Sequence, residues 1–196
     1  MTSSAAPTRI ALYGGSFNPP HVGHVMVASW VLWTGRADQV WWTPSFAHPF
    51  GKELAPFSER VRWLEMLLDE HRGMQVCRVE SELSGTTYTV DVLDCLAARH
   101  PNASFRLLLG SDNLASLHRW KESQRLVDSY APIIVGRVGY PCEQDTVEFP
   151  GVSSTEVRDR LATGRSVDHL VPARIRAEVR GFYSAGNNGG PKPSQP

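Results

Sequence analysis

Cysteine is scarce in this chain: Cys77, Cys95 and Cys142 are the only three among 196 residues. Few, odd in number and far apart, they offer no disulfide framework and no C-x-x-C metal or redox pattern, which points to a reducing compartment. Long apolar runs are missing too; none approaches the roughly 18 residues that span a bilayer. Residues 1–8 lack the basic start and apolar stretch of a signal peptide. The expectation is a cytoplasmic protein without membrane attachment. Net charge is also absent, with 20 basic residues against 20 acidic ones. A general electrostatic attraction to nucleic acid is therefore not expected. Arg174, Arg176 and Arg180 lie opposite Ile175 and Val179 and read as the solvated face of an amphipathic helix. The common catalytic fingerprints are lacking as well. Gly14-Gly15 is not followed by G-x-x-G, and Gly51-Lys52-Glu53 lacks the Ser or Thr of a P-loop. No G-x-S-x-G supports serine hydrolase chemistry.

What is present is an alternation of short apolar runs with helix-period segments. Strands are expected at Arg9–Tyr13, Gln39–Thr43, Gln75–Val79, Phe105–Leu109 and Pro132–Val135. Helices are expected at Val22–Thr34, Phe57–His71 and Thr89–Arg99, the second marked by Phe57, Val61, Leu64, Leu67 and Leu68 at three- to four-residue spacing. Gly35 stands where a glycine ends a helix, and Pro172 where a proline opens one. Runs such as FRLLL and PIIV show little alternation, as in strands covered on both faces. The order implies a single doubly wound, Rossmann-like α/β domain over residues 9–184. Its sheet is mainly parallel, with five or six strands, and two helices follow it at Val157–Thr163 and Ala173–Tyr183. Residues 1–8 and 185–196 read as disordered tails; the second is Gly, Pro, Asn and Ser in large part.

The densest chemistry lies in GGSFNPPHVGH, from Gly14 to His24. Glycines at a strand end let the backbone approach a ligand, since no Cβ intervenes. The helix that follows presents free N–H groups and a partial positive charge, which suits phosphate. His21 and His24, three apart, share one face of that helix at its start. In a doubly wound sheet this turn falls at the carboxyl edge of the strands, where ligands gather.

His21-Val22-Gly23-His24, preceded by this glycine turn, resembles the H-x-G-H motif of the nucleotidylyltransferase superfamily. Val152-Ser153-Ser154-Thr155-Glu156-Val157-Arg158 resembles the S-S-T-x-[IV]-R segment of its adenylyl-transferring members. Thr87-Tyr88-Thr89-Val90-Asp91, Gly110-Ser111-Asp112, Trp120 and Arg137-Val138-Gly139-Tyr140 follow the layout of nicotinate-nucleotide adenylyltransferases. The resemblance runs from Arg9 to Tyr183. It implies that ATP meets Gly14, Gly15, Ser16, Phe17, Asn18, Gly110, Asp112, Ser153, Ser154, Thr155 and Arg158. It implies further that Tyr88, Thr89 and Trp120 hold the pyridine ring of nicotinate mononucleotide, and that His21 and His24 act on the triphosphate. Two departures stand out. The family's compact P-H-K is here Ala47-His48-Pro49-Phe50-Gly51-Lys52, with Lys52 the candidate phosphate-binding lysine. Ser116 stands where many members carry an aromatic residue.

The reaction so implied moves AMP from ATP to nicotinate mononucleotide and releases pyrophosphate. The attacking phosphate has a second pKa of about 6 and is anionic near neutrality, so no general base is required. Alignment and charge neutralisation remain for the protein to supply. Mg²⁺ is expected to arrive with ATP, because no carboxylate cluster in the sequence offers it a dedicated cage and no protein metal ligand is assigned. Nicotinamide mononucleotide or phosphopantetheine as acceptor, and a non-catalytic nucleotide sensor, are the alternatives. The state of the protein, monomer or homo-oligomer, is left open.

Overall fold

The structure is a computed structural model that describes residues 6–46, 53–83, 87–142 and 146–184. The candidate lysine, Lys52, lies outside these residues, as do His48, residues 1–5 and the 185–196 tail. Six strands form one sheet in which every pairing is parallel: β1 (Thr8–Gly15), β2 (Gln39–Pro44), β3 (Met74–Val76), β4 (Ala103–Gly110), β5 (Ile133–Arg137) and β6 (Glu148–Phe149). Their order is β3-β2-β1-β4-β5-β6, so the winding reverses between β1 and β4. That is the doubly wound arrangement expected, with its crevice at the carboxyl ends of those two strands. Around the sheet run α1 (Val22–Trp33), α2 (Phe57–Leu68), α3 (Thr89–Arg99), α4 (Leu114–Leu117), α5 (Ser123–Tyr130), α6 (Ser154–Ala162) and α7 (Ala173–Ser184).

Strand residues alternate between two cores, because successive side chains point to opposite faces. In β1, Ala11 packs on one side with Ala28 and Val31 of α1, Leu64 of α2, Val157 of α6 and Ile175 of α7. Ile10 and Leu12 pack on the other with Val90, Leu93 and Leu96 of α3 and Leu126 of α5. β4 divides likewise, Leu108 to the first core and Phe105, Leu107 and Leu109 to the second. The near-continuous apolar runs are thus explained by cover on both faces.

The structure corrects several expected boundaries. The third strand ends at Val76, and Val79 is buried in a short 3₁₀ turn, Val79–Ser81, so its apolar side chain serves the core without a ladder. The two-residue β6 and the short α4 and α5 were not expected. In α5 only Leu126 and Tyr130 are buried, too few to stand out in sequence. The helix expected at Val157 starts at Ser154, and β1 takes in Thr8, the last residue of the expected first tail. Gly35 follows α1 at φ +63°, the left-handed cap its position suggested.

Candidate active site

A cleft of about 2150 Å³ opens at the carboxyl edge of β1 and β4. Its floor is the glycine turn. Phe17 takes a left-handed φ of 46°, rare for a side chain of this size, and its ring folds down against Tyr13, His24 and Trp42. Gly15 makes room for that ring: a Cβ there would sit 3.1 Å from it. Gly14, Gly15, Ser16 and Asn18 line the cleft, whereas Phe17 is buried beneath it and shapes the turn from below. The Asn18 side-chain oxygen accepts from the Ala55 N–H and from the Tyr183 hydroxyl, both at 3.0 Å.

His21 caps α1 in an extended conformation, and its N–H donates to His24 Nδ1 at 3.1 Å. That bond makes Nδ1 of His24 an acceptor and leaves the proton of the neutral ring on Nε2. The two rings stack with centroids 3.6 Å apart. Gly23 between them is fixed by space, since a Cβ would lie 3.1 Å from His21 Nδ1 and 3.4 Å from Val152. Burial, aided by the Arg137 charge, lowers the His21 pKa to about 3. Burial, His21 and Arg137 hold His24 well below its ordinary value. Both imidazoles are therefore neutral near pH 7 in the free protein. Among the described residues His21 Nδ1 is buried with no hydrogen-bond partner, an unmet polar atom beside the cleft.

The late motif closes the site. Ser153 caps α6 by accepting the Glu156 N–H at 3.1 Å, which leaves the first turn of α6 open to the cleft with Ser154 and Thr155 on its lining. Ser154 Oγ donates to the Pro19 carbonyl at 2.8 Å, and Arg158 donates to the Asn18 carbonyl at 2.6 Å and to Thr155 Oγ1 at 3.2 Å. Two segments some 135 residues apart are hydrogen-bonded to each other.

On the β4 side, Gly110 leaves space for the Asp112 carboxylate, whose Oδ1 would lie 2.4 Å from a Cβ at that position. Asp112 pairs with Arg137 at 2.6 Å. The Arg137 backbone N–H donates to Ser111 Oγ, which in turn donates to the Tyr140 carbonyl. Arg137 is a member of the site that the expected ligand set omitted; its place in R-V-G-Y was the available signal. Farther along the cleft come Tyr88, Thr89, Ser116 and Trp120. Thr89 is the first residue of α3 and Tyr88 its cap, so the threonine hydroxyl is not spent on capping. Trp120 packs on the second core and also lines the cleft. Lys121 sits 5.2 Å over the Tyr88 ring and pairs with Asp91. Glu80 accepts from the Phe46 N–H and from Thr87 Oγ1, and burial raises its pKa. The basic face of α7 carries partners: Arg174 pairs with Asp69 and Glu70, and Arg176 and Arg180 with Asp168. Among the described residues no helix is long and apolar enough to cross a membrane.

The chain, with this cleft at the strand switch walled by the turn ahead of α1 and by the α6 residues bonded to that turn, matches a family in sequence as well. Residues 12–160 match the model of the cytidylyltransferase-like family. A protein of Anaeromyxobacter dehalogenans named "Probable nicotinate-nucleotide adenylyltransferase" is 46% identical over 169 residues, covering 85% of this chain and 90% of that one. One of the same name from Myxococcus xanthus is 43% identical over 180 residues, covering 89% and 94%. The chain belongs to the nicotinate-nucleotide adenylyltransferase family. Its fold agrees with that of a Plasmodium falciparum nicotinic acid mononucleotide adenylyltransferase solved in complex with NaAD, at TM-score 0.77 and 22% identity over 93% of this chain and 97% of that one.

Proposed function

We propose that this family member transfers AMP from ATP to nicotinate mononucleotide, forming nicotinate adenine dinucleotide and pyrophosphate for NAD biosynthesis. One observation carries the residue roles: Arg158 and Ser154 of α6 bond to the Asn18 and Pro19 carbonyls beside H-x-G-H, so both motifs face one cavity. A phosphate oxygen of the mononucleotide attacks the α-phosphorus of ATP, a P–O bond forms, and the bond to the β-phosphate oxygen breaks. The attacking oxygen is already anionic, so the step requires no general base. Gly14, Gly15, Ser16, Asn18, Ser153, Ser154, Thr155 and Arg158 hold the triphosphate, and Gly110 and Asp112 the adenosine. Neutral His21 and His24 donate to the α-phosphate, where charge builds in the transition state. Tyr88, Thr89 and Trp120 take the pyridine ring. Lys52 is the remaining candidate for the departing pyrophosphate.

Among the described residues no three His, Cys, Asp or Glu side chains converge to hold a metal ion. The deep carboxylates are committed, Asp112 to Arg137 and Glu80 to Phe46 and Thr87. The donors present fit Mg²⁺ that enters as part of the ATP complex, where it would neutralise phosphate charge. The cytoplasm is the compartment assigned, in keeping with the scarce cysteines. The test is pyrophosphate release from ATP with nicotinate mononucleotide, nicotinamide mononucleotide and phosphopantetheine. Turnover is expected to be fastest with the first; a preference for either of the others, or no release with any, contradicts the proposal.

A further inference from the structure

Arg60 of α2 is 1% exposed, yet it sits on the side of a helix whose other buried residues are Val61, Trp63, Leu64, Leu67 and Leu68. A methionine would fill such a place, and burying a guanidinium is costly unless its donors are met. They are met by three carbonyls from three segments. Nε donates to Ala55 at 2.9 Å, one terminal nitrogen to Ser16 at 2.8 Å, and the other to Ser45 at 2.7 Å. Ala55 precedes α2, Ser45 follows β2, and Ser16 belongs to the glycine turn. Among the described residues no carboxylate hydrogen-bonds to Arg60, so it is not an ion-pair partner in the ordinary sense.

The Ser16 bond has a consequence for the cleft. A trans peptide is planar, so holding the Ser16 carbonyl toward α2 sets the orientation of the whole Ser16–Phe17 unit. Ser16 lines the cavity, and the left-handed φ of Phe17 is held by the packing of its ring on Tyr13 and Trp42. Resting on the adenylyl-transfer reading, we infer that Arg60 is a positioning residue. It fixes the Ser16 carbonyl, and with it the turn whose Gly15, Ser16 and Asn18 line the cleft, while tying that turn to the segments before α2 and after β2. Burial lowers its pKa to about 10, so the group stays charged at neutral pH.

The test compares Arg60→Lys and Arg60→Met with Leu67→Ala, a core change on the same helix that touches nothing in the cleft. An ammonium cannot serve three carbonyls in a planar fork. Both Arg60 variants are expected to lose at least about thirtyfold in kcat with KM for nicotinate mononucleotide changed less than about threefold, since a shift of about 1 Å in a site costs on this order. Leu67→Ala is expected to lose thermal stability and keep kcat. Should the methionine variant fail to fold, the lysine variant decides. A lysine variant that keeps kcat within about threefold, or failure of both variants to fold, overturns the inference, the latter because Arg60 would then serve the fold as a whole. An active wild type with an unaffected lysine variant overturns the positioning role alone; an inactive wild type overturns adenylyl transfer with it.

Discussion

The two ends of the cleft are built differently. At the end proposed for phosphate, Asn18 is 2% exposed and is bonded from three directions by Ala55, Tyr183 and Arg158, while Ser154 reaches Pro19 and Arg60 reaches Ser16. At the end proposed for the pyridine ring, Tyr88 is 45% exposed, Lys121 and Asp91 form a surface pair, and Trp120 is held chiefly by packing. Buried, fully paired networks hold a group within tenths of an ångström, whereas exposed pairs contribute little. Adenylyl transfer asks for that contrast: donors around phosphorus act by fixed position, and the acceptor ring needs only a surface to stack on.

The contrast can be broken by substitution, beginning at the rigid end. His24→Ala is expected to keep its fold and lose at least about a hundredfold in kcat, the usual cost of one charge-stabilising donor; near-wild-type turnover would remove His24 from the transition state. Arg158→Ala is expected to raise the dissociation constant for ATP about tenfold, the scale of a charged hydrogen bond, in a calorimetric titration. Unchanged ATP affinity would mean the arginine serves only Asn18.

The histidines also give the phosphate end a pH signature. The folded His21 pKa of about 3 lies below the unfolded value of about 6.5, so the unfolded chain binds the proton first. Stability of the free protein is full above pH 6.5 and falls between 6.5 and 3, by up to about 1.4 kcal/mol per pH unit for this group. Urea midpoints at pH 7 and pH 5 should show the loss, and His21→Gln should lessen it, the remainder belonging to His24; an unchanged loss in the variant would contradict the burial of His21. The smallest effect belongs to the loose end. Trp120→Ala is expected to raise KM for the mononucleotide about fivefold, the worth of stacking and cation–π contact, with KM for ATP unmoved.

The same contrast explains what sequence alone could reveal. The parallel strands and the doubly wound class follow from local runs such as FRLLL and from the spacing in Phe57–Leu68. That both motifs line one cleft was readable because H-x-G-H and S-S-T-E-V-R are each contiguous and begin helices. Arg60, Arg137 and Tyr183 escaped because each acts across the fold. Tyr183 meets Asn18 over 165 positions, and Arg60 looks like one more charge on an amphipathic helix. Short elements such as β6 and α5 bury too few residues to leave a period. Phe17, expected at the nucleotide, lies under the turn because its positive φ sends the ring to the core.

A crystal structure with a non-hydrolysable ATP analogue probes the shared cradle most directly. One triphosphate is expected in hydrogen-bond contact with a histidine of the α1 start and, at the same time, with Ser154, Thr155 or Arg158 of α6. A triphosphate bound against one of these helix starts and remote from the other would contradict it.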